Sequence, residues 1–128
     1  YWCPWTSVNY NTDEKRAVLE NYRRRERRML RHLTQFILES LDELPDLEIY
    51  WEWPRKCEGW KQQVLLDFEA KLTARGYHWG TARIDGCRFG MMNQDETKFV
   101  NKQWNVRSTD NAFTSQYGNK ICPGGHEH

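Results

Sequence analysis

Three residues able to ligate a metal crowd into the tail C-P-G-G-H-E-H: Cys122, His126 and His128. Pro123, Gly124 and Gly125 make a tight reversal there, and residues two apart in an extended segment project the same way, so both imidazoles face a metal held by Cys122. A tetrahedral structural site needs a fourth ligand. Cys87, in I-D-G-C-R-F-G, is the expected one, because Gly86 and Gly90 let backbone approach closely around it; Cys57, in a loop after Pro54, is the reserve. Thiolate and imidazole together suit Zn²⁺. The same residues also have a plainer reading, in which the histidines are a polar chain end and the thiols are small core groups, and spacing alone does not separate the two. A disulfide framework is disfavoured, since the four cysteines, at 3, 57, 87 and 122, form no C-x-x-C pair and are widely spaced.

Two carboxylates and a run of arginines are the other groups with chemistry to offer. Glu52 and Asp85 stand where strands are expected to end, and a carboxylate pair there would hold a divalent ion as nucleases do. The plainer alternative makes Glu52 a loop cap and Asp85 part of the turn before Gly86. Arg23, Arg24, Arg25, Arg27, Arg28 and Arg31 are interrupted only by Glu26 and the apolar Met29 and Leu30. At about 100° per residue they cannot share one face, yet most avoid the Met29, Leu33, Phe36 stripe and face solvent. Phosphate contact through Arg23, Arg24, Arg27, Arg28 and Arg31 is the functional expectation. It is reinforced by Arg83, Arg88, Lys98, Lys102 and Arg107 and opposed by the acidic stretch over residues 39–58; a solvated, partly paired surface is the alternative. Trp51, Trp53, Trp60, Trp79 and Trp104 could stack on bases, although at least three are expected in the core.

These groups need a scaffold. The chain has 128 residues, 19 basic and 18 acidic, for a net charge of +1 that singles out no partner. Eighteen aromatics concentrate its apolar area into a few large side chains, as in a folded domain. No apolar run reaches the roughly 18 residues needed to cross a bilayer and no signal-peptide pattern is visible, so the expectation is a soluble, intracellular protein without membrane partners. Tyr1 is not an initiator methionine, and other regions of a longer polyprotein are expected partners. Residues 1–6 read as a strand end. Thr12 caps a long helix with Asp13 and Glu14 in its first turn, ended by Pro45, with a break near residues 20–25 as an alternative to one continuous rod. Residues 47–53 alternate as a strand, residues 60–75 are helical with Gly76 after them, residues 77–84 and 103–109 are strands, and residues 110–117 form a short helix. Alternation of strand and helix implies a single layered α/β domain with a mixed, mostly parallel sheet flanked by helices, the first three strands parallel and the last pair antiparallel.

The order W-C-P-W-T-S, I-Y-W-E-W-P and D-G-C-R-F-G is similar to the second half of cytosine-C5 DNA methyltransferase domains. That resemblance implies base contact by Glu52; Pro4 is followed by Trp5 rather than by the nucleophilic cysteine, and no Gly-rich cofactor loop is present, so methyl transfer by this chain alone is not expected. A second pattern covers more of the chain: Glu52-Trp53-Pro54, Gly59-Trp60, Asp85-Gly86-Cys87 with Gly90, Lys102-Gln103-Trp104, and the Cys122 to His128 tail. It resembles uncharacterised domains of retroelement-like polyproteins and favours the metal reading, because the shared positions include all four expected ligands. The functional expectation is a zinc-stabilised, nucleic-acid-interacting module of a mobile-element-type protein, the alternative being a methyltransferase-like or nuclease-type enzyme acting through Glu52 and Asp85.

Overall fold

The computed structural model describes residue 5 and residues 10–128. The strand end expected at residues 1–6 lies outside these, apart from Trp5, which sits in a turn. The described chain divides into two compact units, one combining the part up to Leu47 with Cys57–Arg75, the other combining Glu48–Lys56 with Gly76–His128.

The first unit is a helical pair. Helix α1, Asp13–Glu43, starts where the Thr12 side chain accepts from the Lys15 amide at 3.3 Å, and two acidic residues in its first turn oppose the helix dipole. It runs through residues 20–25 without a break. Length alone is no reason to break a helix whose apolar face is packed: Leu19, Leu30, Leu38 and Leu41 are buried, and tertiary burial stabilises what propensity leaves marginal. A 3₁₀ turn, Glu58–Lys61, holds the buried Trp60 and leads into α2, Gln63–Ala74. The expected helix over residues 60–75 is thus split at its start. Leu65, Phe68 and Leu72 of α2, spaced three and four apart, are at most 1% exposed, each contributing about 2 kcal/mol of burial. Arg75 closes the pair by donating to the Leu38 carbonyl at 2.9 Å and the Asp42 carboxylate at 2.8 Å.

The second unit is a four-stranded sheet in the order β1-β3-β2-β4. The strands are β1, Tyr50–Pro54; β2, Gly80–Asp85; β3, Gln103–Ser108; and β4, Asn119–Lys120. The short helix α3, Asn111–Tyr117, is capped by Asp110, whose side chain accepts from the Phe113 amide at 3.0 Å. The chain is therefore of the α/β class with a mixed sheet, but the expected predominance of parallel pairing does not hold. β3 is antiparallel to both β1 and β2, and only the β2–β4 pair is parallel. β1 and β2 do point the same way, as strand-helix-strand alternation requires. They never pair, because β3, returning from β2 through a connection without a long helix, inserts between them. After β2 the chain makes a 3₁₀ turn, Gly86–Phe89, before Met92 bridges to Phe99.

Candidate metal centre

The parallel β2–β4 pair sets the position of the site. Ile84 registers with Lys120, and parallel strands deliver their carboxyl ends to the same edge of a sheet. Two residues on, Cys122 arrives beside Gly86 and Cys87, where β2 runs into its 3₁₀ turn. The Cys122 amide donates to Asp85 Oδ2 at 2.8 Å, and Asp85 Oδ1 accepts from Arg55. Gly86 is buried, and a Cβ there would come within 2.8 Å of Met91 Sδ and 3.1 Å of the Val100 carbonyl oxygen. A side chain before Cys87 would require Met91 and the Val100 carbonyl to shift, and this is the close approach that Gly86 suggested in the sequence.

The tail then doubles back. Gly124 and Gly125 both take left-handed backbone, with φ of 77° and 79°, a pair of conformations that side chains with a Cβ adopt only with strain. The Gly124 amide donates to Cys122 Sγ at 3.4 Å. The reversal returns His126 and His128 to the sulfur: each Nε2 lies 3.5 Å from Cys122 Sγ, and the two nitrogens are 3.1 Å apart. His126 packs against the Phe99 ring at 4.6 Å between centroids, and Glu127 pairs with Lys98 at 3.2 Å, so the tail is held from two further points.

All four ligand atoms of Cys87, Cys122, His126 and His128 lie within 4.8 Å of one another. A tetrahedral Zn²⁺ with Zn–S near 2.3 Å and Zn–N near 2.05 Å has S···N edges of roughly 3.6 Å and N···N edges of roughly 3.3 Å. The three separations among Cys122, His126 and His128 match those edges, so the donor set and its spacing could hold a metal ion. Burial, first, and then the adjacent Cys122 and Asp85 push the Cys87 thiol above its ordinary range. A divalent cation would reverse that balance by favouring thiolate. Cys57, the reserve ligand, is not in the cluster; it is buried, and its sulfur accepts from the Gly59 amide at 3.4 Å at the start of the 3₁₀ turn.

The other expected site residues have different fates. Glu52 registers with Val106 and Asp85 with Gln103. Successive residues of β3 face opposite sides, so this odd offset puts the two carboxylates on opposite faces of the sheet. They do not converge. Glu52 is exposed, whereas Asp85, 2% exposed, is committed to Arg55 and to Cys122. On α1, Arg24, Arg25, Arg28 and Arg31 are exposed and Arg23 is half-buried, while Arg27 donates to Glu20 at 2.7 Å and to Gln62 at 3.0 Å. Trp51 and Trp60 are buried, and Trp53, Trp79 and Trp104 are half-buried. Trp104 shares an apolar groove of about 430 Å³ with Ile84, Gly86, Phe89, Met91, Phe113 and Tyr117, and Lys102 Nζ sits 4.8 Å above its ring.

Sequence reasoning missed Arg55, Asp85 and Phe99 as supports of the cluster. Asp85 was read as a partner of Glu52 or as a turn residue, since nothing local signals that β4 exists to bring Cys122 past it. Among the described residues no helix is long and apolar enough to cross a membrane. The chain matches no protein-family model, no curated protein and no solved structure.

Proposed function

We propose that this chain is a zinc-stabilised module that binds nucleic acid, with Zn²⁺ held by Cys87, Cys122, His126 and His128 in a structural rather than a catalytic role. The observation that carries the reading is the convergence of four soft and borderline donors, three of them from one tail, at separations suited to a tetrahedron. Four protein ligands leave no open position for water or substrate, which is the mark of a structural zinc site. The metal would clamp the tail to the end of β2, and its binding energy would be folding energy for this edge of the sheet.

Contact with nucleic acid is supported by two further features. Arg24, Arg28 and Arg31, three and four residues apart, share one face of α1, and among the described residues none of them is tied up in an ion pair. The groove beside Trp104, with Phe89, Tyr117 and the Lys102 ammonium, offers aromatic faces next to a cation, the combination on which unpaired bases stack. The resemblance to retroelement-type polyprotein domains agrees with a module of this kind. The test is elemental mass spectrometry of the purified chain, followed by titration of the zinc-loaded protein with a fluorescent single strand at rising salt. One zinc per chain and salt-sensitive binding are expected. Metal-free protein with unaltered melting would end the zinc reading, and absence of binding at low salt would end the nucleic-acid reading.

A further inference from the structure

Helix α1 has two apolar stripes, and the described chain covers one of them. Leu19, Leu30, Leu38 and Leu41 are buried on the side that packs with α2. On the other side, Val18, Tyr22, Met29, Leu33 and Phe36 fall within an arc of roughly 60°, at the α-helical turn of 3.6 residues. All five are between 45% and 65% exposed. Tyr22, Met29 and Phe36 recur every seventh residue, with Val18 one turn before Tyr22 and Leu33 between Met29 and Phe36, so the stripe runs nearly parallel to the helix axis. Together these side chains present on the order of 500 Å² of surface, towards the upper end of what a monomer leaves in water.

Charge beside the stripe says what covers it. Along one flank stand Arg25, Arg28 and His32, followed by Glu39 and Glu43, all exposed. We propose that α1 pairs along this stripe with α1 of a second copy of the chain, antiparallel, about a two-fold axis near Leu33. Under a two-fold axis, residue i of one copy meets residue j of the other while j meets i. With the axis near Leu33, Met29 of each copy lies beside Phe36 of the other, and Arg25 and Arg28 of each copy lie beside Glu43 and Glu39 of the other. A parallel pair would set this flank against the opposite flank of the partner helix and would not bring Arg25 and Arg28 to Glu43 and Glu39. The exposed area falls somewhat short of the ~800 Å² per partner of a standard interface. The dimer is therefore weak and salt-sensitive, with flanking charge deciding its orientation.

Sedimentation velocity on the full chain tests this. The sedimenting mass should rise from 15.5 kDa towards twice that value as concentration passes through the micromolar range, and the dimer should weaken in high salt. Met29→Glu with Phe36→Glu should remain monomeric; both side chains are exposed, and circular dichroism checks that helix content is kept. Arg25→Glu with Arg28→Glu, and separately Glu39→Lys with Glu43→Lys, should each weaken self-association at least tenfold. Mixing these two variants should restore a dimer, because each then meets its charge complement at both ends of the seam. A wild-type chain monomeric at about 200 µM, whether the stripe serves some other protein or none, would overturn the proposal, as would a mixture that associates no better than its components.

Discussion

Asp85→Asn separates the two roles that geometry gives this carboxylate. The side chain is 2% exposed and its oxygens are divided between the Arg55 guanidinium and the Cys122 amide. Asparagine keeps the shape and one acceptor but turns the other arm into a donor, so one of those two donors is left facing an N–H group. Removing one member of a buried ion pair costs about 3–5 kcal/mol. The Arg55 side chain keeps 24% of its surface in water, and screening there reduces the expected loss to about 2 kcal/mol. For a chain of this length that corresponds to a melting temperature lower by about 8 °C, and it should appear in metal-free protein. The second role is to hold Cys122 in place through its backbone. Groups that orient a metal ligand without touching the metal are worth about 10–100-fold in affinity, so competition with a chromophoric chelator should show zinc binding weakened by that factor. Unaltered melting of the metal-free variant would refute the buried ion pair. Lowered melting with unchanged zinc affinity would refute the positioning of Cys122 and leave Asp85 as a partner of Arg55 alone.

Chelation of the zinc-loaded chain should lower its melting temperature and Cys122→Ser should mimic chelation, whereas Cys57→Ser should keep one zinc per chain in elemental analysis. Replacing Arg24, Arg28 and Arg31 together by Gln should weaken nucleic-acid binding equally across sequences and flatten the salt dependence by about three phosphate contacts; fluorescence anisotropy at several salt concentrations measures both. The Asp110 carboxyl is held below its ordinary range, first by the Phe113 amide and then by the Tyr50 hydroxyl. The stability it contributes is present above the unfolded value, near pH 3.9, and is lost as pH falls through the lower folded value. In Asp110→Asn, which keeps a capping oxygen without the charge, the melting temperature should fall less steeply below about pH 4 than in the wild type. Leu65→Ala empties a site that is 0% exposed and should cost about 2–5 kcal/mol in denaturant unfolding.

Much of the local structure was legible because local forces decide it. The Thr12 cap, the apolar spacing of α1 and α2 and the alternation in β1 and β3 are properties of consecutive residues, and each element is found within a few positions of its expected place. The four clustered donors were legible for a related reason: thiol and imidazole are few, and three of them fall in one tail beside two glycines. Pairing in the sheet was not legible. Which strand lies beside which depends on residues far apart in the chain, and β4, two residues long, has too little pattern to announce itself, although it is what carries Cys122 to Cys87. The fate of Glu52 and Asp85 turned on parity: an odd offset in register puts one carboxylate on each face of the sheet, and register is a tertiary quantity. On α1 the sequence marked apolar and basic positions alike, but only packing against α2 selected which apolar stripe is buried. One helix cannot turn both of its faces to the same partner, and that is why Met29, Leu33 and Phe36 are left in water.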